Sequence, residues 1–198
     1  MVRVIVLAAL LAPSVGCASD EPGMEEEPTM STPSAESTYD VVSSRVFDAP
    51  VERVWRAWSE GEEVKRWWGP DGFTTTIADM DFREGGSSFV CMQAPDEMGG
   101  GLFCNTWTYH RIGPHERIEF TLHFTDADRN RIDPADMPGM PPGIPNGVPH
   151  VITLSAVAEG KTEMMLIEHG YTTREAHDQS KEGLEQVLDK LAASLTRE

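Results

Sequence analysis

Three side chains have the chemistry for acid–base work: Glu168, Tyr109 and His177. A carboxylate or imidazole of shifted pKa moves protons when it sits beside a bound molecule. No nucleophile motif accompanies them, for the chain has no G-x-S-x-G elbow, P-loop, dinucleotide fingerprint or C-x-x-C. Six histidines raise the question of a metal, yet none has H-x-H or H-E-x-x-H spacing. His169 and His177 bracket a turn and come nearest to a metal pair, but surface or hydrogen-bonded roles suit them better. Asp126–Asp133, "DADRNRID", begins like a calcium loop. Arg131 and Met137 then stand where an EF-hand needs Gly and Glu, so a solvated acidic turn is expected. Neither a metal nor a cofactor is expected.

Cys91 and Cys104 lie in consecutive predicted strands. If the hairpin closes over Pro95–Gly100, Ala94 opposes Gly101, and stepping outward sets Cys91 opposite Cys104. Directly opposed residues share a face, within reach of a disulfide. The alternative is two buried free thiols.

The elements that must position these groups follow from periodicity. "YDVVSSRVF" (39–47) reads as a strand. In "APVERVWRAWSE", Pro50 suits a first helical turn, and Val51, Val54, Trp55 and Trp58 fall on one helix face. "GEEVKRWW" (61–68) is a second short helix, stopped by Gly69-Pro70. Strands are predicted at 73–82, 87–94, 101–112, 117–124, 150–158 and 162–171. In "RIEFTLHF", Ile118, Phe120, Leu122 and Phe124 alternate with polar residues, leaving His123 on the other face. A long helix closes the chain, with Thr172 and Glu175 at capping-box spacing. Its stripe is Leu184, Val187, Leu188, Leu191 and Leu195, whereas the first half of that face carries Ala176 or His177, Ser180 and Gly183. Such small side chains leave a gap over a sheet. The expectation is an α+β fold in which helices cover one side of an antiparallel sheet.

Before this domain, "MVRVIVLAALLAPSVGC" reads as a secretory signal: Arg3, an apolar core, then small residues up to Cys17. Ser14-Val15-Gly16-Cys17 resembles a bacterial lipobox, with Ser14 where Leu is usual. The resemblance implies lipidation of Cys17 and a place in the bacterial cell envelope. Ordinary cleavage, leaving a soluble secreted protein, is the alternative. The expected organisation is a signal peptide (1–16), an acidic Pro/Ser/Thr tether (17–38) and one domain (39–198). The formal charge of −17 argues against nucleic acid as a partner and limits membrane contact to the lipid.

"RVFDAPVERVWRAWSEGEEVKRWWGPDGF", "DMDFREGG" and "RIGPHERIEF" together resemble the helix-grip SRPBCC (START-like) superfamily. Within it they resemble the branch named after the C-terminal domain of the activator of Hsp90 ATPase. The likeness runs over roughly residues 39–196. It implies a curved sheet of about six to seven strands gripping the C-terminal helix, with two short helices after strand 1, around a largely apolar cavity. Many members have Gly-Trp near the middle of the last helix, where this chain has Gly183-Leu184, so the cavity takes a different shape.

Adjacent helical residues point about 100° apart, so one face cannot bury both Trp67 and Trp68. Either one packs under the short helices while the other reaches the cavity mouth, or both wedge helices onto sheet. The candidate lining is Trp67, Trp68, Phe73, Met92, Trp107, Tyr109, Phe120, Glu168, His177 and Ser180. The proline-rich loop 134–149, with Met137 and Met140, either lids the cavity or stiffly covers a strand edge. The expected function is non-enzymatic binding of a small hydrophobic molecule. The alternatives are a cyclase- or hydrolase-like cavity enzyme and a co-chaperone-like interaction module.

Overall fold

Runs of β-branched and aromatic residues form strands wherever the chain can turn between them. The computed structural model describes residues 38–196. The expected signal peptide, the lipidation at Cys17 and, but for residue 38, the tether fall outside the described residues. The elements are β1 (Tyr39–Phe47), α1 (Val51–Ser59), α2 (Gly61–Trp67), β2 (Thr74–Asp79), β3 (Ser87–Gln93), β4 (Leu102–Gly113), β5 (Arg117–Thr125), β6 (Val148–Ala158), β7 (Lys161–Tyr171) and α3 (Arg174–Leu195). Among the described residues, no helix is long and apolar enough to cross a membrane.

All seven strands join one curved antiparallel sheet in the order β1-β7-β6-β5-β4-β3-β2. This is the α+β helix-grip architecture. The inward face of β5 is Ile118, Phe120 and Leu122, all buried, with Phe124 half-buried. Leu184, Val187, Leu188, Leu191 and Leu195 are buried along α3. Burying each such side chain contributes about 1.5–3 kcal/mol, so the leucine half of α3 anchors it to the sheet.

α3 begins one residue later than the Thr172–Glu175 spacing suggests. Thr173 is the N-cap, its Oγ1 accepting from Ala176 N at 3.1 Å and donating to the Pro142 carbonyl at 2.6 Å. Thr172 is occupied elsewhere, its N–H donating to the Gly143 carbonyl at 2.9 Å. The proline-rich loop thus decides where the helix starts, a tertiary effect that local spacing does not carry. Gly143 is required there, because at its φ of +100° a Cβ would lie 2.7 Å from the Thr173 side chain.

The two adjacent tryptophans are separated by a helix end. Trp67 closes α2, fully buried, and its Nε1 donates to the Ala57 carbonyl at 2.9 Å. Trp68 has already left the helix (φ −65°, ψ 139°) and turns toward Trp107, ring centroids 4.6 Å apart. Lys190 of α3 holds this exit by donating to the carbonyls of Gly69 (2.8 Å), Pro70 (3.4 Å) and Phe73 (3.0 Å). Burial lowers the pKa of its ammonium.

β3 and β4 pair with Cys91 opposite Cys104, and their sulfurs are bonded at 2.04 Å. The bridge is buried with Phe89 and, beside them, Ile77, in a small cluster apart from the main core. A loop of this length gains about 3 kcal/mol from the cross-link by limiting the unfolded chain. The double variant Cys91→Ala/Cys104→Ala is therefore expected to lose about 2–4 kcal/mol in urea unfolding, with a somewhat larger m-value because its unfolded chain is less compact. Alkylation without reductant is expected to leave both cysteines of the native protein unmodified.

Candidate ligand cavity

Small residues on a helix leave space only if something else holds the helix off the sheet. Here the leucine half of α3 does so, and Ala176, Ser180 and Gly183 face a cavity of about 240 Å³. A Cβ added at Gly183 meets nothing within 4 Å. The opposite wall comes from β4 to β7: Asn105, Leu122, Phe124, Val148, His150 and Glu168. Trp68, Gly69, Pro70 and Met92 close one side, and Met140 and Ile144 of the proline-rich loop close another. No lysine or arginine lines it.

One end of the cavity is polar. Glu168 of β7 and His150 of β6 are cross-strand partners, with Oε1 and Nε2 3.3 Å apart. Tyr171 Oη donates to Glu168 Oε2 at 2.6 Å, Ser180 Oγ does so at 2.6 Å, and the two hydroxyls are 2.7 Å from each other. His150 Nδ1 donates to the Val148 carbonyl at 2.9 Å. Its ring also stacks on Phe120, centroids 4.6 Å apart and planes within 14°. Glu168 is 7% exposed, so its charge needs compensation. Burial pushes its pKa up, but His150, Ser180 and Tyr171 together outweigh that and hold the carboxyl below the usual glutamate range. Burial, reinforced by the Glu168 charge, pushes the Tyr171 phenol well up.

This sheet–helix arrangement has known counterparts. Residues 48–196 match the family described as Activator of Hsp90 ATPase homolog 1-like protein. The chain belongs to that family. A solved structure from Chromobacterium violaceum is 26% identical, covers 80% of this chain and 98% of its own, and superposes with a TM-score of 0.64. One from Rhizobium leguminosarum is 25% identical, with 82% and 97% covered and a TM-score of 0.61. A family protein from Silicibacter pomeroyi, 22% identical with 79% and 97% covered, shares the fold at a TM-score of 0.63. No protein of curated function matches the sequence. The fold suits a ligand-binding or co-chaperone-like module.

Of the side chains expected around the cavity, the structure brings Trp68, Met92, Glu168 and Ser180 to its wall. The others lie elsewhere. Trp67 packs under α1 against Trp58. Trp107 and Phe120 stack on one another at 5.2 Å, behind His150 rather than beside the space. Tyr109 is buried toward β3, bonded to Ser88 Oγ at 2.9 Å, and burial raises its pKa. Phe73 meets Phe103 across an edge of the sheet. His177 turns away to Asp178 and Tyr39. The acid–base trio of Glu168, Tyr109 and His177 therefore does not converge; His150 and Tyr171 stand with Glu168 instead. No cluster of three metal-ligating side chains occurs among the described residues. At the acidic turn, Asp126 caps the backbone N–H groups of Asp128 and Asn130 at 2.9 and 2.8 Å.

His150 was findable only in part. Val148, His150, Ile152 and Leu154 alternate inward along β6, so a histidine in that row is a signal. Its partner was not findable. Counting outward from the Glu159-Gly160 turn pairs His150 with His169, but a bulge between Ala156 and Ala158 shifts the register and presents Glu168.

Two expectations follow from this geometry. Gly183→Ala should stabilise by about 0.5–1 kcal/mol, as alanine favours helix and meets open space. Gly183→Leu should fill the cavity and lose ligand binding while the urea midpoint holds or rises; a lowered midpoint would mean the space is not open. The second concerns acid. Glu168 and Glu185 both have folded pKa values below the unfolded value of 4.5. Their stabilisation is complete above that value and is lost as pH falls through the folded pKa. Urea midpoints should therefore drop on acidification below about pH 4.5, less steeply in Glu168→Gln.

Proposed function

We propose that this chain is an exported, lipid-anchored binding protein that holds one small hydrophobic molecule in the cavity between sheet and α3, without catalysis. The observation that carries the reading is the space itself: about 240 Å³, walled mainly by leucine, valine, isoleucine, methionine and aromatic groups. An apolar cavity of about 150 Å³ admits benzene, so this one suits a bicyclic ring or a short chain. Met140 and Ile144 bring the proline-rich loop onto the space as a cover, and methionine adapts to varied ligands. The leader and the Ser14–Cys17 stretch support export and a lipid at Cys17. The acidic segment after it supports a solvated tether.

A second reading is acid–base chemistry on a bound substrate, and the Glu168–His150 pair supports it. Hydrolysis through Ser180 has less support, since Ser180 lies within α3, whose backbone N–H groups are spent on the helix, and its hydroxyl donates to Glu168 rather than to a histidine. A co-chaperone-like role draws on the family's name, but an exported chain does not meet a cytosolic chaperone, and fold does not carry function.

Native mass spectrometry against a panel of apolar dyes and lipids is expected to show one ligand per chain, lost in Gly183→Leu. Fed radiolabelled palmitate, bacterial cells expressing the full chain are expected to label it, and not Cys17→Ser. A chain that binds none of the panel would end the carrier reading. An unlabelled but exported chain would make it a soluble secreted protein.

A further inference from the structure

The polar end of the cavity has a proton inventory that selects a ligand. His150 Nδ1 faces a carbonyl, which only accepts, so that nitrogen must donate. Nε2 is taken up by Glu168. Glu168 Oε2, Tyr171 Oη and Ser180 Oγ form a triangle with sides of 2.6, 2.6 and 2.7 Å. Two hydroxyl protons serve these three contacts. The corner therefore has no donor to spare, while lone pairs remain on both hydroxyl oxygens.

We infer that the ligand's polar end is a hydrogen-bond donor, a hydroxyl or N–H, seated against the Glu168–Tyr171–Ser180 corner. The inference rests on the binding reading above and names the ligand class for that site. A carboxylate is the wrong head group, because it brings no proton, faces Glu168 and finds no lysine or arginine in the wall. An ether or ketone brings no proton either. Two donors lie elsewhere in the wall. One is the Asn105 amide on β4, three strands from β7 at about 4.8 Å per step. The other is the unpartnered Trp68 Nε1–H, whose ring packs on Trp107 of β4; both answer a different part of the molecule. Gln179, also in the wall, is an exposed side chain at the rim. An O–H or N–H donated to a hydroxyl that itself donates to a buried carboxylate is strengthened by that chain of polarised bonds.

Isothermal titration of the purified protein with naphthalene, 2-naphthol, 2-methoxynaphthalene and 2-naphthoate tests this. The expected order is 2-naphthol about tenfold tighter than 2-methoxynaphthalene, with 2-naphthoate weakest. Glu168→Gln, or Tyr171→Phe if that variant fails to fold, is expected to bring 2-naphthol down to the methoxy compound's affinity. If naphthalene binds but the methoxy compound or the naphthoate equals 2-naphthol, the donor inference is overturned and the cavity reading stands. If none of the four binds, both fall.

Discussion

The cavity exists because α3 is held at a distance that its own first half cannot bridge. Leu184 to Leu195, with Val187, set the spacing between helix and sheet, and Lys190 ties the helix to the α2 exit through three carbonyls. A helix is stiff over this length, so Ala176, Ser180 and Gly183 cannot collapse onto β5 and β6. Core packing normally removes such a void, since every unfilled volume forfeits dispersion contacts. Keeping it costs stability, which is why filling Gly183 and holding a ligand oppose one another.

The same spacing makes room for a buried carboxylate. Glu168 sits where an apolar side chain would pack more simply, and an unpartnered charge there would be strongly destabilising. Three partners from three elements, β6, the end of β7 and α3, hold it ionised. The cluster is thus a check on assembly as well as a feature of the site. It forms only when α3 lies across the sheet in this register, with Phe120 behind the imidazole.

Much of this was legible in the residues. Alternation in β5, the leucine stripe, the slight residues at 176, 180 and 183 and the paired cysteines each follow from period and spacing, without long-range information. Tryptophan was harder to place. Trp67 and Trp68 diverge because the helix stops between them, and helix ends blur over a residue or two in any sequence reading. Trp107, Tyr109 and Phe120 face inward as their strands imply, yet inward means packed core at most points and open space at only a few.

The sequence by itself determined the strand and helix order, the α+β class, the opposition of the two cysteines and the imbalance between the two halves of α3, because these are local periodicities or short hairpin counts; the grip architecture came from the resemblance to a family. Only the tertiary structure decided which inward side chains border empty volume and which partner Glu168 has. A single bulge near the β6–β7 turn moves the register by one residue, and Ser180 arrives from a helix packed across the sheet. Neither leaves a local trace, since both depend on where separate elements come to rest against one another.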